Sequence, residues 1–132
     1  MTTHVVVVGA YGSAGVAVAS ELVDESDVEL TLVDDGDPGG GLCILRGCMP
    51  SKEVLSATAH RFQARDDPRL DGTPEVDLRS VVDRKDEHVE NFASHRRATV
   101  HEMAERENVD FHHDTARFVD DRVVAVGDRE IA

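Results

Sequence analysis

A chain of 132 residues is long enough for one domain with its own core and too short for two. Its 27 acidic residues outnumber 14 basic ones, and the formal charge of -13 repels phosphate backbones and anionic headgroups, which excludes nucleic acid and membrane surfaces as partners. With 40% apolar and only 4% aromatic residues, the core must rest on Val, Leu and Ala. Lys52 and Lys85 are the only lysines, and Arg supplies the other basic groups, a composition that points to adaptation to high salt. The start of the chain has no basic lead or cleavage pattern, and the uncharged stretch from Val5 to Ser20 falls short of the roughly 20 apolar residues that span a membrane. A soluble, cytoplasmic protein is expected, and in that compartment two close cysteines suggest redox or metal chemistry rather than a structural staple.

In chain order, His4-Val5-Val6-Val7-Val8 is a β-branched run ending at Gly9, the pattern of a central parallel strand buried on both faces. Gly9-Ala10-Tyr11-Gly12-Ser13-Ala14-Gly15 leads into the helix-compatible segment Val16 to Val23. Strand, glycine turn and helix open a dinucleotide-binding unit: glycines allow the backbone to approach a pyrophosphate, and the helix N-terminus offers it unpaired N–H groups. The usual spacing is G-x-G-x-x-G; here Tyr11 reads as one extra residue in the turn. Val28 to Val33 forms a second strand closed by Asp34-Asp35. Asp34 lies near the roughly 20-residue offset at which an acid accepts the adenosine ribose hydroxyls, the alternative being a solvated turn carboxylate.

Residues Asp35 to Gly41 read as a loop. A helix with an apolar face through Val54, Leu55 and Ala59 is expected over Ser51 to Gln63. A second, long one is expected from Asp77, as N-cap, to about Glu107, with apolar positions at Leu78, Val81, Val82, Val89, Phe92, Val100 and Met103. Val109 to His112 suggests a strand, Thr115 to Val126 a hairpin turning at Asp120-Asp121, and Arg129 to Ile131 a last short strand.

Both cysteines fall in Gly40-Gly41-Leu42-Cys43-Ile44-Leu45-Arg46-Gly47-Cys48-Met49-Pro50-Ser51-Lys52. Two cysteines do not close a zinc site, which takes about four ligands, and no histidine pattern completes one, so no metal is assigned. A staple closing so short a loop is worth only about 2 kcal/mol. Redox use explains more. Cys48 sits where a helix begins, the helix dipole favours a thiolate there, and Lys52 lies one helical turn on with a charge that favours the same state.

This segment resembles the active-site motif G-G-T-C-x-x-x-G-C-x-P-S-K of the FAD-dependent pyridine nucleotide–disulfide oxidoreductases, the group that contains dihydrolipoamide dehydrogenase and mercuric reductase. The glycine turn, the long charged helix and Ala116-Arg117-Phe118-Val119-Asp120 fall in the family's order. The resemblance implies an α/β fold, a partial Rossmann-like FAD-binding domain with parallel sheet, long helix and C-terminal hairpin. It implies that Gly9, Gly12, Gly15 and Gly41 contact FAD, that Asp34 holds the ribose, and that Ala116 offers a backbone contact to the adenine. Cys48 becomes the thiolate touching the flavin, Cys43 the thiol that exchanges with a small dithiol or disulfide substrate, and Lys52 a neighbour of the flavin ring.

Pro-Ser-Lys is closer to the lipoamide and mercuric enzymes than to glutathione reductase, which usually has Pro-Lys-Lys. The chain departs from the family at Tyr11, at Leu42 where Thr is usual, and at Asp114 where Gly is usual. Family members also carry an NAD(P)-binding domain and a dimerisation domain with the acid–base histidine, and are homodimers. Residues 1–132 therefore correspond to the N-terminal part of an FAD-binding domain, expected to bind FAD weakly and to be inactive alone. The alternatives are a free-standing nucleotide-binding thiol redox module or a mercuric reductase-type enzyme.

Overall fold

The computed structural model describes all 132 residues. Strand β1 (Thr3–Val8), helix α1 (Ser13–Leu22) and β2 (Val28–Val33) form the opening βαβ unit. A π-helical turn (Leu42–Arg46) leads directly into α2 (Cys48–Asp66), which is followed by the long α3 (Leu78–Ala104), β3 (Val109–His112) and a meander of β4 (Ala116–Asp120), β5 (Val123–Val126) and β6 (Arg129–Ile131). β1, β2 and β3 make a parallel sheet in that order, with Val5 opposite Leu30 and Leu32 opposite Phe111. β4, β5 and β6 make a separate antiparallel sheet.

The alternation of β2 decides the layering, because successive side chains of a strand leave on opposite faces. Leu30 and Leu32 turn toward the helices and pack with Val7, Tyr11, Ala19, Val100, Met103 and Val109. Val33 turns the other way, against Val124 and Val126 of the meander. Each fully buried leucine stabilises the fold by about 1.5–3 kcal/mol relative to an exposed one.

The central strand is therefore β2. The expectation for β1 is corrected: it lies at the edge, only Val7 is buried, and Val8 is 55% exposed. A β-branched run reports strand propensity; burial on both faces and both edges depends on what packs beside it.

α3 starts where the sequence places it. Asp77 caps it, its carboxylate accepting hydrogen bonds from the backbone N–H of Arg79 (3.0 Å) and Ser80 (3.4 Å). α2 folds back along α3 and is held there by Glu53, which accepts from Arg84 Nε (2.9 Å) and pairs with His88 Nδ1 (3.1 Å). The apolar face expected to bury α2 is not covered: no residue of α2 is buried, and Leu55 and Phe62 are exposed. No helix is long and apolar enough to cross a membrane.

Candidate cofactor and dithiol site

The glycine turn continues the β1–β2 ladder, with Gly9 N and Ala10 N both donating to Val33 O (2.7 and 3.2 Å). Gly12 N then donates to Gly9 O (3.0 Å), and Gly12 becomes the N-cap of α1. α1 crosses so close to the turn that any side chain on Gly15 would collide with the Gly9 carbonyl. No side chain caps α1 and no acid lies in its first turn. Its leading N–H groups are left for a ligand, and the helix dipole favours an anion there.

Asp34 stands beside this turn at the end of β2. Its Oδ2 accepts from Tyr11 N (2.8 Å) and its Oδ1 from Gly36 N (2.9 Å). Each carboxylate oxygen retains capacity for a further donor, so hydroxyl groups of a ribose remain chemically acceptable. Ala116 lies at the start of β4, not in the turn. Its neighbour Thr115 donates Oγ1 to Asp35 (3.4 Å), and His113 Nε2 meets Gly36 O (3.0 Å), which brings the start of the meander to the Asp34 end of the site.

The loop after β2 returns to the glycine turn because α3 guides it. Gly39 rests on Ala93, where a side chain would come within 2.6 Å of the Ala93 carbonyl, and Arg97 donates Nη1 to Pro38 O (3.5 Å). Gly41 is delivered against Gly12, its Cβ position 3.7 Å from the Gly12 Cα. The cysteine segment follows immediately. Cys43 sits half-buried in the π-helical turn, and Cys48 is exposed at the first position of α2. π-Helical turns are rare and often mark functional sites.

Both cysteines are free thiols. The Cys43 thiol is held above its ordinary range, first by its hydrogen bond with Cys48, then by burial and the charge of Cys48; a hydrogen bond with Ser13 and the Lys52 ammonium pull it down. Cys43, Cys48, Lys52 and the glycine turn are thus assembled in one place. No group of three or more His, Cys, Asp or Glu side chains is arranged to hold a metal ion.

Several residues of the site were not singled out in the sequence. Ser13 is a hydrogen-bond partner that lowers the Cys43 pKa, while on α3 Arg96 and His101 meet Tyr11 of the turn and Arg97 meets Pro38 of the loop. The available signal was the small Ala93 with Arg97 four residues on and Val100 at the next helical step, which mark a buried face within an otherwise charged helix.

A βαβ unit with an uncapped glycine-rich helix start thus abuts a close pair of cysteines, Cys43 and Cys48, at a second helix start. The family model described as pyridine nucleotide-disulphide oxidoreductase matches residues 3–132, and the chain belongs to that family, whose members use FAD and a pyridine nucleotide. Curated relatives include dihydrolipoyl dehydrogenase 2 of Haloarcula marismortui, 31% identical over 94% of this chain and 25% of that protein. A dihydrolipoyl dehydrogenase of Halobacterium salinarum is 36% identical over 64% of this chain and 18% of its own length. A solved structure, the Cu(II) complex of the HOCl-induced flavoprotein disulfide reductase RclA from Escherichia coli, shares the fold with a TM-score of 0.69 at 24% identity, over 98% of this chain and 25% of that one. The chain spans about a quarter of the length of such relatives.

Proposed function

We propose that residues 1–132 are the N-terminal FAD-binding, redox-disulfide part of a flavoprotein disulfide oxidoreductase of the dihydrolipoyl dehydrogenase type, moving electrons between a dithiol or disulfide substrate, FAD and NAD(P)(H). The observation that carries this reading is the meeting of the Cys43–Cys48 pair with the glycine turn through Gly41 and Gly12. The fit to the cofactor rests on the same geometry. The open space beside Gly9, where a Cβ would meet nothing within 4 Å, and the uncapped N–H groups of α1 suit a pyrophosphate, and Asp34 suits a ribose. Ala116 stands with the adenine end and Lys52 with the dithiol.

When bound, FAD supplies the two-electron link between the cysteine pair and the nicotinamide. The chain's own residues perform thiol–disulfide exchange. In the oxidised pair, a substrate thiolate attacks Cys43 Sγ, forms a mixed disulfide and releases Cys48 as thiolate. The second substrate thiol then displaces Cys43, so the substrate leaves as a disulfide and both protein sulfurs carry the two electrons. The hydrogen bond with Ser13 and the Lys52 ammonium both favour the thiolate of Cys43. This reading places the protein in the cytoplasm, makes the complete enzyme a homodimer, and leaves the present chain without turnover of its own.

Oxidation of the purified chain, titration with dihydrolipoamide and titration with FAD test the proposal together. An intrachain Cys43–Cys48 disulfide that the dithiol reduces, lost in Cys48→Ser, and weak but saturable FAD binding are expected. A disulfide that cycles in a chain with no affinity for FAD overturns the flavoprotein assignment in favour of a thiol redox module.

A further inference from the structure

Tyr11 is the residue that breaks the usual glycine spacing, and the structure shows what it does. An extra residue that merely lengthened a turn would sit in solvent. Tyr11 instead folds inward and is 1% exposed, among the largest fully buried side chains of the protein. Its ring stands edge-on to Phe111 of β3 (5.7 Å between centroids) and to His101 of α3 (6.1 Å). Its hydroxyl shares a hydrogen bond of 2.8 Å with His101 Nε2.

The backbone of the same residue is held as firmly as its side chain. Its N–H donates to Asp34 Oδ2 at 2.8 Å, and its carbonyl accepts from Arg96 Nη1 at 3.3 Å. One residue therefore ties the turn to the acid at the end of β2, to β3 and to α3. α3 also guides the opposite wall of the site, because Ala93 and Arg97 hold the loop that carries Gly41 onto Gly12. The relative placement of the two walls is set from a single helix.

We propose that Tyr11 is a positioning residue for the cofactor, its hydrogen bond with His101 fixing the glycine turn and the aim of Asp34 against α3 and so setting the affinity for FAD. The proposal rests on the reading of the turn as the FAD site. It differs from a core-filling role, for which the ring alone suffices and the hydroxyl is idle.

The experiment compares the wild-type chain, Tyr11→Phe, His101→Ala and the double variant in concentrated KCl. FAD affinity is read from flavin fluorescence, and fold from far-ultraviolet circular dichroism and thermal midpoints of the ligand-free proteins. Tyr11→Phe keeps the ring and removes only the hydroxyl, so an unchanged fold and FAD binding about tenfold weaker are expected. The double variant should bind no more weakly than His101→Ala alone, since both changes remove one interaction.

FAD affinity in Tyr11→Phe within about twofold of wild type overturns the proposal, even if the thermal midpoint falls, and leaves Tyr11 a core residue. If Tyr11→Phe fails to fold, His101→Ala carries the test alone, and wild-type affinity there overturns the proposal equally. A wild-type chain that takes up no FAD overturns the underlying reading of the turn instead.

Discussion

Cys43 is pulled in two directions: its hydrogen bond with Cys48 raises its pKa, and Ser13 and the Lys52 ammonium lower it. The thiolate is the reactive form, so alkylation accelerates as pH rises through that pKa. Removing the largest raising influence, in Cys48→Ala, should move the alkylation profile of Cys43 to lower pH, whereas Lys52→Met should move it to higher pH. Iodoacetamide labelling followed by mass spectrometry across pH measures both, and a Lys52→Met profile that stays in place would show that the charge does not reach Cys43. Cys43, Cys48 and Lys52 were legible because they form a contiguous motif. Ser13 was not, since its approach to Cys43 depends on a loop seated by Gly39 on Ala93, a contact between residues far apart in sequence.

At the scale of elements, α3 was the most legible, running from its Asp77 cap to Ala104, close to the expected end near Glu107. The Asp77 carboxyl is held below its usual range by Ser80 Oγ, then by the backbone N–H groups of Ser80 and Arg79. A depressed carboxylate contributes stability that is present above its unfolded value of about 3.9 and is lost as pH falls through the folded value. Asp77→Ala should therefore lower the thermal midpoint by a few degrees at neutral pH and by little in strong acid. Equal lowering at both pH values would mean that the cap does not act through its ionised form. The sequence was misleading for β1 and α2 for a shared reason: apolar pattern names a face that is suited to burial, and the partner that covers it is a tertiary fact. β2, with neighbours on both edges and layers on both faces, satisfies the pattern completely.

For the molecule as a whole, the fold class was legible from the order of strand, glycine turn, helix, strand and acid, whereas the separation of the meander into its own sheet was not, because which strands pair across the fold is a tertiary fact. The charge of -13 belongs to this scale, because it acts as self-repulsion of the folded chain. The organisms of the curated relatives are halophiles, in keeping with salt adaptation of the surface. Raising KCl from dilute to molar concentration shortens the screening length from about 30 Å to about 3 Å, so the thermal midpoint should climb steadily over that range. A midpoint independent of KCl would show that charge repulsion is not what limits stability.

The inward fold of Tyr11 has a practical side. The chain holds one tyrosine and no tryptophan, and that tyrosine lies in the glycine turn. Its ultraviolet emission therefore comes from a single place, with His101 and Phe111 as its immediate surroundings. The protein carries its own optical probe at the glycine turn, able to register a ligand arriving there without any label being added.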